Sequence, residues 1–282
     1  MNMPAYRGIF VSDLDGTLLR GGRISPEDLA AFDGLHAHGV LRVIATGRAL
    51  HSAEACLPAD FPADYVILST GNQVVHWKTR EVLRSSCLLG DEIQGICSTL
   101  RGMGMSFMIH DDFPHNHGFA FSRGAKRVGD FERRLALHAP NGREMNGCVD
   151  MERASQVLAI ADAEDEGLYA RIVRELAGCS VIRATSPLDG SSVWIEIFAT
   201  GVSKAAGVTD IVNRHNLHGA PVAAIGNDHN DRDMLDMAHM PFKIEDSFLG
   251  DEKYLTAPNT NDAVARAIAH YTEMLQAGTT SP

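Results

Sequence analysis

Two aspartates separated by one leucine follow a short apolar run near the start of the chain. The run Gly8 to Val11 precedes Ser12, and Asp13 and Asp15 come next. A continuous apolar run that ends in a polar turn is typical of a central strand buried on both faces. Residues two apart in an extended segment point the same way, so we expect both carboxylates to face one point and Leu14 to face the core. Repelling carboxylates persist together where a cation or a shared proton lies between them, so the pair predicts a site for a hard divalent metal.

Three further apolar runs also end in polar clusters that contain glycine. They are residues 40–46, which end on Thr46-Gly47-Arg48, residues 65–68 before Ser69 to Asn72, and residues 220–226 before Asn227 to Asp231. The carboxyl ends of parallel strands meet at one edge of a sheet, which is where open α/β sheets bind ligands. We therefore expect these clusters to gather around the two aspartates.

A helix is predicted between the first two runs. Ser25 is its expected N-cap before Pro26 and two acidic residues, apolar residues recur at helical spacing, and Gly39 ends the pattern. Strands that alternate with helices predict a parallel sheet with right-handed crossovers. The predicted fold class is therefore α/β, with a Rossmann-like parallel sheet as its core.

The segment between the third and fourth runs mixes helical and strand-like patterns. After a hairpin at 75–83 it contains predicted helices at 91–100 and 164–177 and predicted strands at 105–109, 156–161 and 193–198. Because this block separates strands of one sheet, it is an inserted domain rather than a tandem one. We expect a core domain of residues 1–84 and 200–282 and an inserted α/β domain of residues 85–199.

The composition is that of an ordinary globular protein, with 45% hydrophobic and 22% charged residues. The formal charge of -11 argues against nucleic acid and anionic membranes as partners. The cysteines are scattered and form no C-x-x-C pair, which argues against a disulfide framework or a zinc site; they are Cys56, Cys87, Cys97, Cys148 and Cys179. No stretch approaches the roughly 18 apolar residues of a membrane span. We therefore expect a cytoplasmic protein, and its oligomeric state stays open.

Four segments together resemble the motifs of the haloacid dehalogenase superfamily, in the order that family has them. They are Asp13-Leu-Asp-Gly-Thr-Leu, Thr46-Gly-Arg, Lys204 after Gly-Val-Ser, and Gly226-Asn-Asp-His-Asn-Asp. More narrowly, the chain is similar to the Cof-like phosphatases, whose large type IIB cap is inserted between the second and third motifs. The resemblance implies a Mg²⁺-dependent phosphatase that acts on small phosphorylated metabolites, with sugar phosphates as the expected class. The inserted domain would be the cap that selects the substrate.

The resemblance also assigns roles to the aspartates. It implies that Asp13 is the nucleophile, which forms an aspartyl-phosphate. A carboxylate nucleophile splits a difficult displacement into two easier steps. It implies that Asp15 is the general acid and base, with its backbone carbonyl as a magnesium ligand. Thr46 and the Gly47 amide would contact a phosphoryl oxygen, where donors stabilise the spreading charge. Arg48 is either a further anion contact or a solvated residue.

Lys204 occupies an unusual position for a cation. Ser203 is the expected N-cap, so Lys204 falls in the first turn of a helix, where the helix dipole disfavours positive charge. A nearby anion would resolve the conflict, and the resemblance implies that Asp13 and the phosphoryl group supply it.

The fourth motif departs from the usual pattern of the family. Asn227 stands where an aspartate is common, so it would offer magnesium a neutral carbonyl oxygen. Asp228 or Asp231 would then complete the metal site, directly or through a water. Asn230 and Asp231 match the final pair of the family, which orients Lys204 and the metal shell.

The inserted domain contains further candidates. The segment His110-Asp-Asp-Phe-Pro-His-Asn-His117 is either a second metal cluster or a surface loop, and its irregular spacing around Pro114 favours the loop. Arg123 and Arg183 are candidates for a second anionic group of the substrate, although most such arginines are solvated.

Two other functions remain open. A phosphomutase would use the same intermediate, but it typically has a smaller cap between the first two motifs, and only 30 residues separate Asp15 from Thr46. A non-catalytic phosphometabolite-binding protein would follow if Asn227 had abolished turnover. The presence of Asp13, Asp15 and Lys204 argues against that reading.

Overall fold

The computed structural model describes residues 6–145, 151–163, 165, 167–250 and 252–277. The chain forms two compact units. We call Met1–Arg48, Ala53–Arg84 and Ser203–Pro282 the core unit, and Ala49–Ser52 with Ser85–Val202 the inserted unit. Each is described separately.

An eight-stranded sheet organises the core unit. Its order is β16-β15-β14-β1-β2-β3-β4-β5, and the strands are β1 (Gly8–Asp13), β2 (Val40–Ala45), β3 (Tyr65–Leu68), β4 (Gln73–His76), β5 (Val82–Ser85), β14 (Val222–Gly226), β15 (Met240–Ile244) and β16 (Leu255–Ala257). The six strands from β16 to β3 are parallel, and β4 is antiparallel to β3. The chain leaves β1 towards β2 on one side and returns to β14 on the other. The carboxyl end of β1 is therefore the switch point where such sheets bind ligands.

Helices cover the parallel strands. They are α1 (Pro26–Gly34), α6 (Lys204–His215), α7 (Arg232–Met237) and α8 (Ala263–Ala277), and α2 (Leu50–Glu54) follows β2. The predicted N-cap is confirmed, because the Ser25 Oγ accepts a hydrogen bond from the Asp28 N–H at 3.0 Å. The helix continues as a 3-10 turn, Leu35–His38, and Gly39 ends it in the left-handed conformation.

The central strand β1 is buried on both faces, as its apolar run predicts. On one face Ile9 and Val11 pack with Val208 and Ile211 of α6. On the other face Phe10 is fully buried and its ring contacts Tyr271 of α8. The strand thus fixes where Asp13, its last residue, must lie.

The inserted unit contains a six-stranded sheet of the order β12-β13-β11-β7-β8-β9. Its strands are β7 (Phe107–His110), β8 (Phe119–Ser122), β9 (Gly142–Glu144), β11 (Gln156–Ala161), β12 (Ser180–Thr185) and β13 (Val193–Phe198), and a separate pair is formed by β6 (Leu88–Leu89) and β10 (Arg153–Ala154). The helices are α3 (Gly90–Gly102), α4 (Gly129–Leu137) and α5 (Leu168–Glu175). The strand pairs of this sheet are antiparallel, except that β8 and β9 are parallel. The sheet therefore differs from the core sheet, in which six neighbouring strands are parallel.

The predicted elements of the inserted unit are found, some of them with shifted ends. The predicted strands at 156–161 and 193–198 are confirmed, and the predicted helix at 91–100 extends over Gly90–Gly102. The helix predicted at 164–177 is α5, Leu168–Glu175, while Glu164 and Cys148 lie outside the described residues. Helix α4 was not predicted. It packs Phe131 and Leu135 against Trp194 on the second face of the sheet.

Within the described part of the chain, none of the helices has the length and apolar character needed to cross a membrane.

His110 corrects the prediction of a surface loop at residues 110–117, because it is the last residue of β7. Its side chain is 5% exposed, and its Nδ1 lies 2.9 Å from the Asn116 carbonyl oxygen. No group of three histidine, cysteine or acidic side chains suited to a metal is found among the described residues. The segment from Asp111 to His117 connects β7 to β8.

The buried His110 makes folding sensitive to acid. Burial, reinforced by the positive charge of Arg134, lowers the pKa of His110 to about 3, whereas histidine in an unfolded chain has a pKa of about 6.5. Below that value the unfolded state binds a proton that the folded state does not, so stability is lost as the pH falls from about 6.5 towards 3. The expected loss at pH 5, relative to pH 7.5, is roughly 2 kcal/mol.

Replacing His110 by asparagine is expected to remove most of this loss. Asparagine does not titrate and keeps an N–H donor for the Asn116 carbonyl. The measurement is the free energy of unfolding in urea at pH 7.5 and at pH 5 for the wild type and His110→Asn. His36→Asn, which replaces an exposed histidine, is the control. Equal losses in the wild type and in His110→Asn would contradict the prediction.

Candidate active site

Lys204 joins two carboxylates at the carboxyl edge of the core sheet. Its Nζ donates to the Asp13 Oδ1 at 2.7 Å and to the Asp231 Oδ1 at 2.5 Å. Lys204 and Asp231 are fully buried, and the Asp13 side chain is 7% exposed. A buried cation between two buried anions is stabilising only while all three members are present. Strand β1, helix α6 and the segment after β14 are thereby fixed at one point.

The position of Lys204 follows from the start of α6. The Ser203 Oγ caps the helix by accepting from the Ala206 N–H at 3.1 Å, which places Lys204 in the first turn. The dipole disfavours a cation there, and the two carboxylates offset this. Burial alone lowers the pKa of Lys204, but Asp13 and Asp231 outweigh burial and raise that pKa above its ordinary value. Lys204 therefore stays charged.

Asp231 is held through both of its carboxylate oxygens. Its Oδ1 is held by Lys204, and its Oδ2 accepts from the Asn227 N–H at 2.9 Å and the Asp228 N–H at 3.0 Å. Gly226 permits this approach, because a Cβ at that position would lie 2.5 Å from the Asp231 carboxyl carbon. Both oxygens accept hydrogen bonds, so Asp231 orients Lys204 and the segment after β14.

Asp13 keeps one oxygen without a partner. Its Oδ1 accepts from Lys204, whereas its Oδ2 is buried and has no hydrogen bond within the described chain. Burial, reinforced by Asp231 and opposed by Lys204, raises the pKa of Asp13 above its ordinary value. A buried unpaired carboxylate oxygen costs free energy unless a ligand meets it. The Asp13 Oδ2 is therefore the atom of this carboxylate that can meet a ligand.

Asn227 lies against the turn that carries Asp15. The Thr17 hydroxyl donates to the Asn227 Oδ1 at 3.3 Å. Gly16 has φ +81°, and a Cβ there would lie 2.3 Å from the Asn227 Nδ2. The Asn227 side chain is thus set beside the first motif, and its carbonyl oxygen retains a second lone pair.

A magnesium ion fits these donors. The unpartnered Asp13 Oδ2 and the Asn227 Oδ1 are hard oxygen donors of the type that magnesium takes. Magnesium keeps several waters and needs only one or two carboxylates, so a site without three clustered acids is compatible with it.

The second motif provides donors for an anion. Thr46 is fully buried, and its Oγ1 accepts from the Arg48 N–H at 3.1 Å, which leaves the hydroxyl proton free to be donated. Gly47 is exposed, and its N–H has no acceptor among the described residues. The Arg48 guanidinium forms two hydrogen bonds with the Asp15 carboxylate. Its Nε donates to the Asp15 Oδ2 at 2.8 Å and its Nη2 to the Asp15 Oδ1 at 2.7 Å.

The remaining predicted residues are less tightly connected. The Asn230 side chain has no hydrogen-bond partner in the described part of the chain, so it is not joined to Lys204. Asp228 follows Asn227 and donates its N–H to Asp231. Arg123 is held by Glu132 and Glu144 within the inserted unit, and Arg183 is exposed there.

The sequence did not single out a turn that supports two motifs. The N–H groups of Ser69 and Thr70 donate to the carbonyl oxygens of Arg48 at 2.9 Å and Thr46 at 3.0 Å. Ser69 and Thr70 have φ values of 44° and 55°, which are left-handed. A left-handed backbone costs a residue other than glycine about 1–3 kcal/mol, and it persists where the surrounding contacts hold it in place. The polar residues after β3 indicated that this turn lies near the site. They did not indicate that its N–H groups hold the second motif in place.

Gly71 in the same turn contacts the start of α6. It has φ +104°, and a Cβ would lie 1.9 Å from the Ser203 carbonyl oxygen. We expect Gly71→Ala to lower the free energy of unfolding by roughly 3 kcal/mol or more, because a backbone clash is added to left-handed strain. Gly21→Ala is the matched control, since Gly21 has φ +55° with nothing within 4 Å. Urea unfolding of both variants measures the difference, and equal losses would show that the contact with Ser203 is not needed.

Comparison with known proteins shows to which family the chain belongs. A model of the haloacid dehalogenase-like hydrolase family matches residues 10–268. The 5-amino-6-(5-phospho-D-ribitylamino)uracil phosphatase YcsE of Bacillus subtilis (strain 168) is 25% identical over 266 residues, 92% of this chain and 93% of that protein.

Solved structures show the same fold over nearly the whole chain. BT1666 from Bacteroides thetaiotaomicron, a phosphatase of the haloalkanoate (HAD) superfamily, has a TM-score of 0.70 at 20% identity and covers 96% of this chain and 97% of that one. The HAD subclass IIB sugar phosphatase BT4131 has a TM-score of 0.72 at 19% identity, with coverage of 93% and 98%. The chain is therefore a hydrolase that belongs to the haloacid dehalogenase-like family, and it has the fold of subclass IIB.

Proposed function

We propose that this protein is a Mg²⁺-dependent phosphatase that hydrolyses small phosphorylated metabolites, with sugar phosphates as the substrate class. The observation that carries the proposal is the Asp13 carboxylate, which Lys204 holds by one oxygen while the other oxygen is buried and unpartnered. The family supports hydrolysis, and the curated relative and the subclass IIB structure are phosphatases by name.

In the proposed reaction the Asp13 Oδ2 attacks phosphorus, the ester P–O bond breaks, and the phosphoryl group becomes attached to Asp13. Asp15 gives a proton to the leaving oxygen and then takes one from a water, which attacks phosphorus and releases inorganic phosphate and free Asp13. The Thr46 hydroxyl and the Gly47 N–H donate to the phosphoryl oxygens, and Lys204 balances negative charge at Asp13.

Magnesium would be held by the Asp13 carboxylate, the Asp15 backbone carbonyl and the Asn227 Oδ1, with Asp228 as a further candidate. A bound Mg²⁺ would supply positive charge to the phosphoryl oxygens. Residues 85–199 are proposed as the substrate-selecting cap domain, with the core at 1–84 and 200–282. Arg123 is a weaker candidate than Arg183 for an anion contact there, because two glutamates already bind it.

We also propose a cytoplasmic location and no nucleic acid or membrane partner. The scattered free cysteines of the described chain and the formal charge of -11 support these proposals.

A phosphate-release assay tests the function. The panel contains an aryl phosphate, several sugar phosphates and 5-amino-6-(5-phospho-D-ribitylamino)uracil, each with Mg²⁺ and with EDTA. We expect Mg²⁺-dependent release, with the highest kcat/KM for a sugar phosphate. Absence of release from every ester would contradict the phosphatase, and conversion of a sugar 1-phosphate to its 6-phosphate without release would indicate a mutase.

A further inference from the structure

Arg48 and Asp15 form a bidentate ion pair. The two hydrogen bonds measure 2.8 and 2.7 Å, and the side chains are 31% and 43% exposed. The main chain of Arg48 is fixed on both sides, since its N–H donates to the Thr46 Oγ1 and its carbonyl accepts from the Ser69 N–H. A change of partners would therefore involve the guanidinium and the carboxylate and not the main chain.

This pair conflicts with the proposed roles of both residues. Both Asp15 oxygens accept from the guanidinium, so the carboxylate is held away from other partners. The Nε and Nη2 of Arg48 are equally occupied, although a phosphoryl group presents the oxygen geometry that an arginine fork binds best. Asp15 can contact the leaving-group oxygen, and Arg48 the phosphoryl group, only if the ion pair between them separates.

We expect the phosphoryl group of the substrate to bind the Arg48 guanidinium more strongly than the Asp15 carboxylate does. A phosphoryl group of a monoester carries more negative charge than one carboxylate and offers three oxygens, and charge-assisted bonds to arginine are strong. A partly exposed ion pair contributes little net stability, so little opposes its replacement. An anion at the Thr46 and Gly47 donors would thus draw the guanidinium of the next residue towards itself.

We propose that Arg48 exchanges Asp15 for the phosphoryl group of the substrate, which releases the Asp15 carboxylate to take a proton from water and then give it to the leaving-group oxygen. This inference rests on the proposed phosphatase function. Arg48 is then an anion contact in the complex and a positioning residue for Asp15 before substrate arrives. The exchange couples the release of Asp15 to the presence of an anion, so an uncharged ester would leave the pair intact.

Two crystal structures test the exchange directly, both with Mg²⁺ and one with orthovanadate as the tetrahedral anion. We expect the Arg48–Asp15 pair in the first structure. In the second we expect guanidinium-to-anion contacts and an Arg48–Asp15 separation beyond about 4 Å, the limit for an ion pair. An intact pair in the vanadate complex would overturn the proposal.

Kinetics of Arg48→Ala provide the second test, with an alkyl and an aryl phosphate as substrates. We expect KM to rise by about 10- to 100-fold for both, as for loss of a charged hydrogen bond, while kcat changes by less than about threefold because Asp15 is no longer held. Arg48→Lys should restore part of KM. A fall in kcat confined to the alkyl ester, with KM unchanged, would show instead that Arg48 permanently orients Asp15.

Arg214→Ala is the control variant, because Arg214 forms an ion pair of similar exposure with Glu81 in the core unit. It should leave KM and kcat unchanged. If the wild-type protein released no phosphate from any ester, the proposed function would fail, whereas the vanadate complex would still decide whether Arg48 changes partners.

Discussion

Asp13→Asn is expected to lower kcat for phosphate release by at least about 10⁴-fold. The amide cannot form the phosphoryl intermediate, although its oxygen can still accept from Lys204 as the Asp13 Oδ1 does at 2.7 Å. The fold should therefore persist, and a urea unfolding curve close to that of the wild type is part of the expected result. Steady-state kinetics with an aryl phosphate and Mg²⁺ measure the loss.

Asp33→Asn is the control for this variant. Asp33 is an exposed aspartate of the core unit that pairs with Arg42, and its replacement should leave kcat unchanged. Activity above about a tenth of the wild type in Asp13→Asn would mean that another group attacks phosphorus.

Lys204→Met is expected to lower the free energy of unfolding by about 3–5 kcal/mol, the loss that follows when one partner of a buried ion pair is removed. The variant leaves the Asp13 and Asp231 carboxylates in one buried site without their shared cation. Phosphate release should also be lost, since Asp13 is no longer oriented. Urea unfolding and the phosphate-release assay measure the two effects.

Two further variants separate charge from packing at this site. Lys126→Met replaces a lysine that is 60% exposed and should leave the free energy of unfolding close to that of the wild type. In the double variant Lys204→Met with Asp231→Asn one unpaired charge is removed, so the total loss should be smaller than the sum of the single losses. Simple additivity would argue that Lys204 acts through packing alone.

The sequence predicted where the site lies because strand ends are fixed by simple patterns. The apolar run before Asp13 makes β1 a buried strand, and parallel neighbours must end at the same edge. Lys204 falls in the first turn of a helix, where the helix dipole disfavours a cation, and this position predicted a nearby anion. The structure places Asp13 and Asp231 beside Lys204. These features depend on local pattern and charge, which a sequence displays directly.

The contacts that depend on tertiary packing were not predictable in the same way. The partner of Arg48 depends on the direction of a long side chain, and the sequence leaves that direction undetermined. The support from Ser69 and Thr70 uses backbone N–H groups in left-handed conformations, which non-glycine residues rarely adopt. The hydrogen bonds that Asp231 accepts from the Asn227 and Asp228 N–H groups of its own loop depend on the loop geometry in the same way.

Helix α4 was missed for a related reason. Over Gly129–Leu137 it is short and begins without a capping side chain, and only Asp130, Phe131 and Leu135 are buried. Its stability comes from packing on the sheet rather than from a start signal or a long apolar stripe.

The most direct test of the central claim is the detection of a phosphoryl group on Asp13 during turnover. The wild-type protein with Mg²⁺ and an aryl phosphate is quenched in acid within one turnover, digested, and analysed by peptide mass spectrometry. We predict one added phosphoryl group on the peptide that contains Asp13, and its disappearance as the substrate is exhausted. Phosphate release without any phosphorylated peptide, or with the group on another residue, would contradict the account.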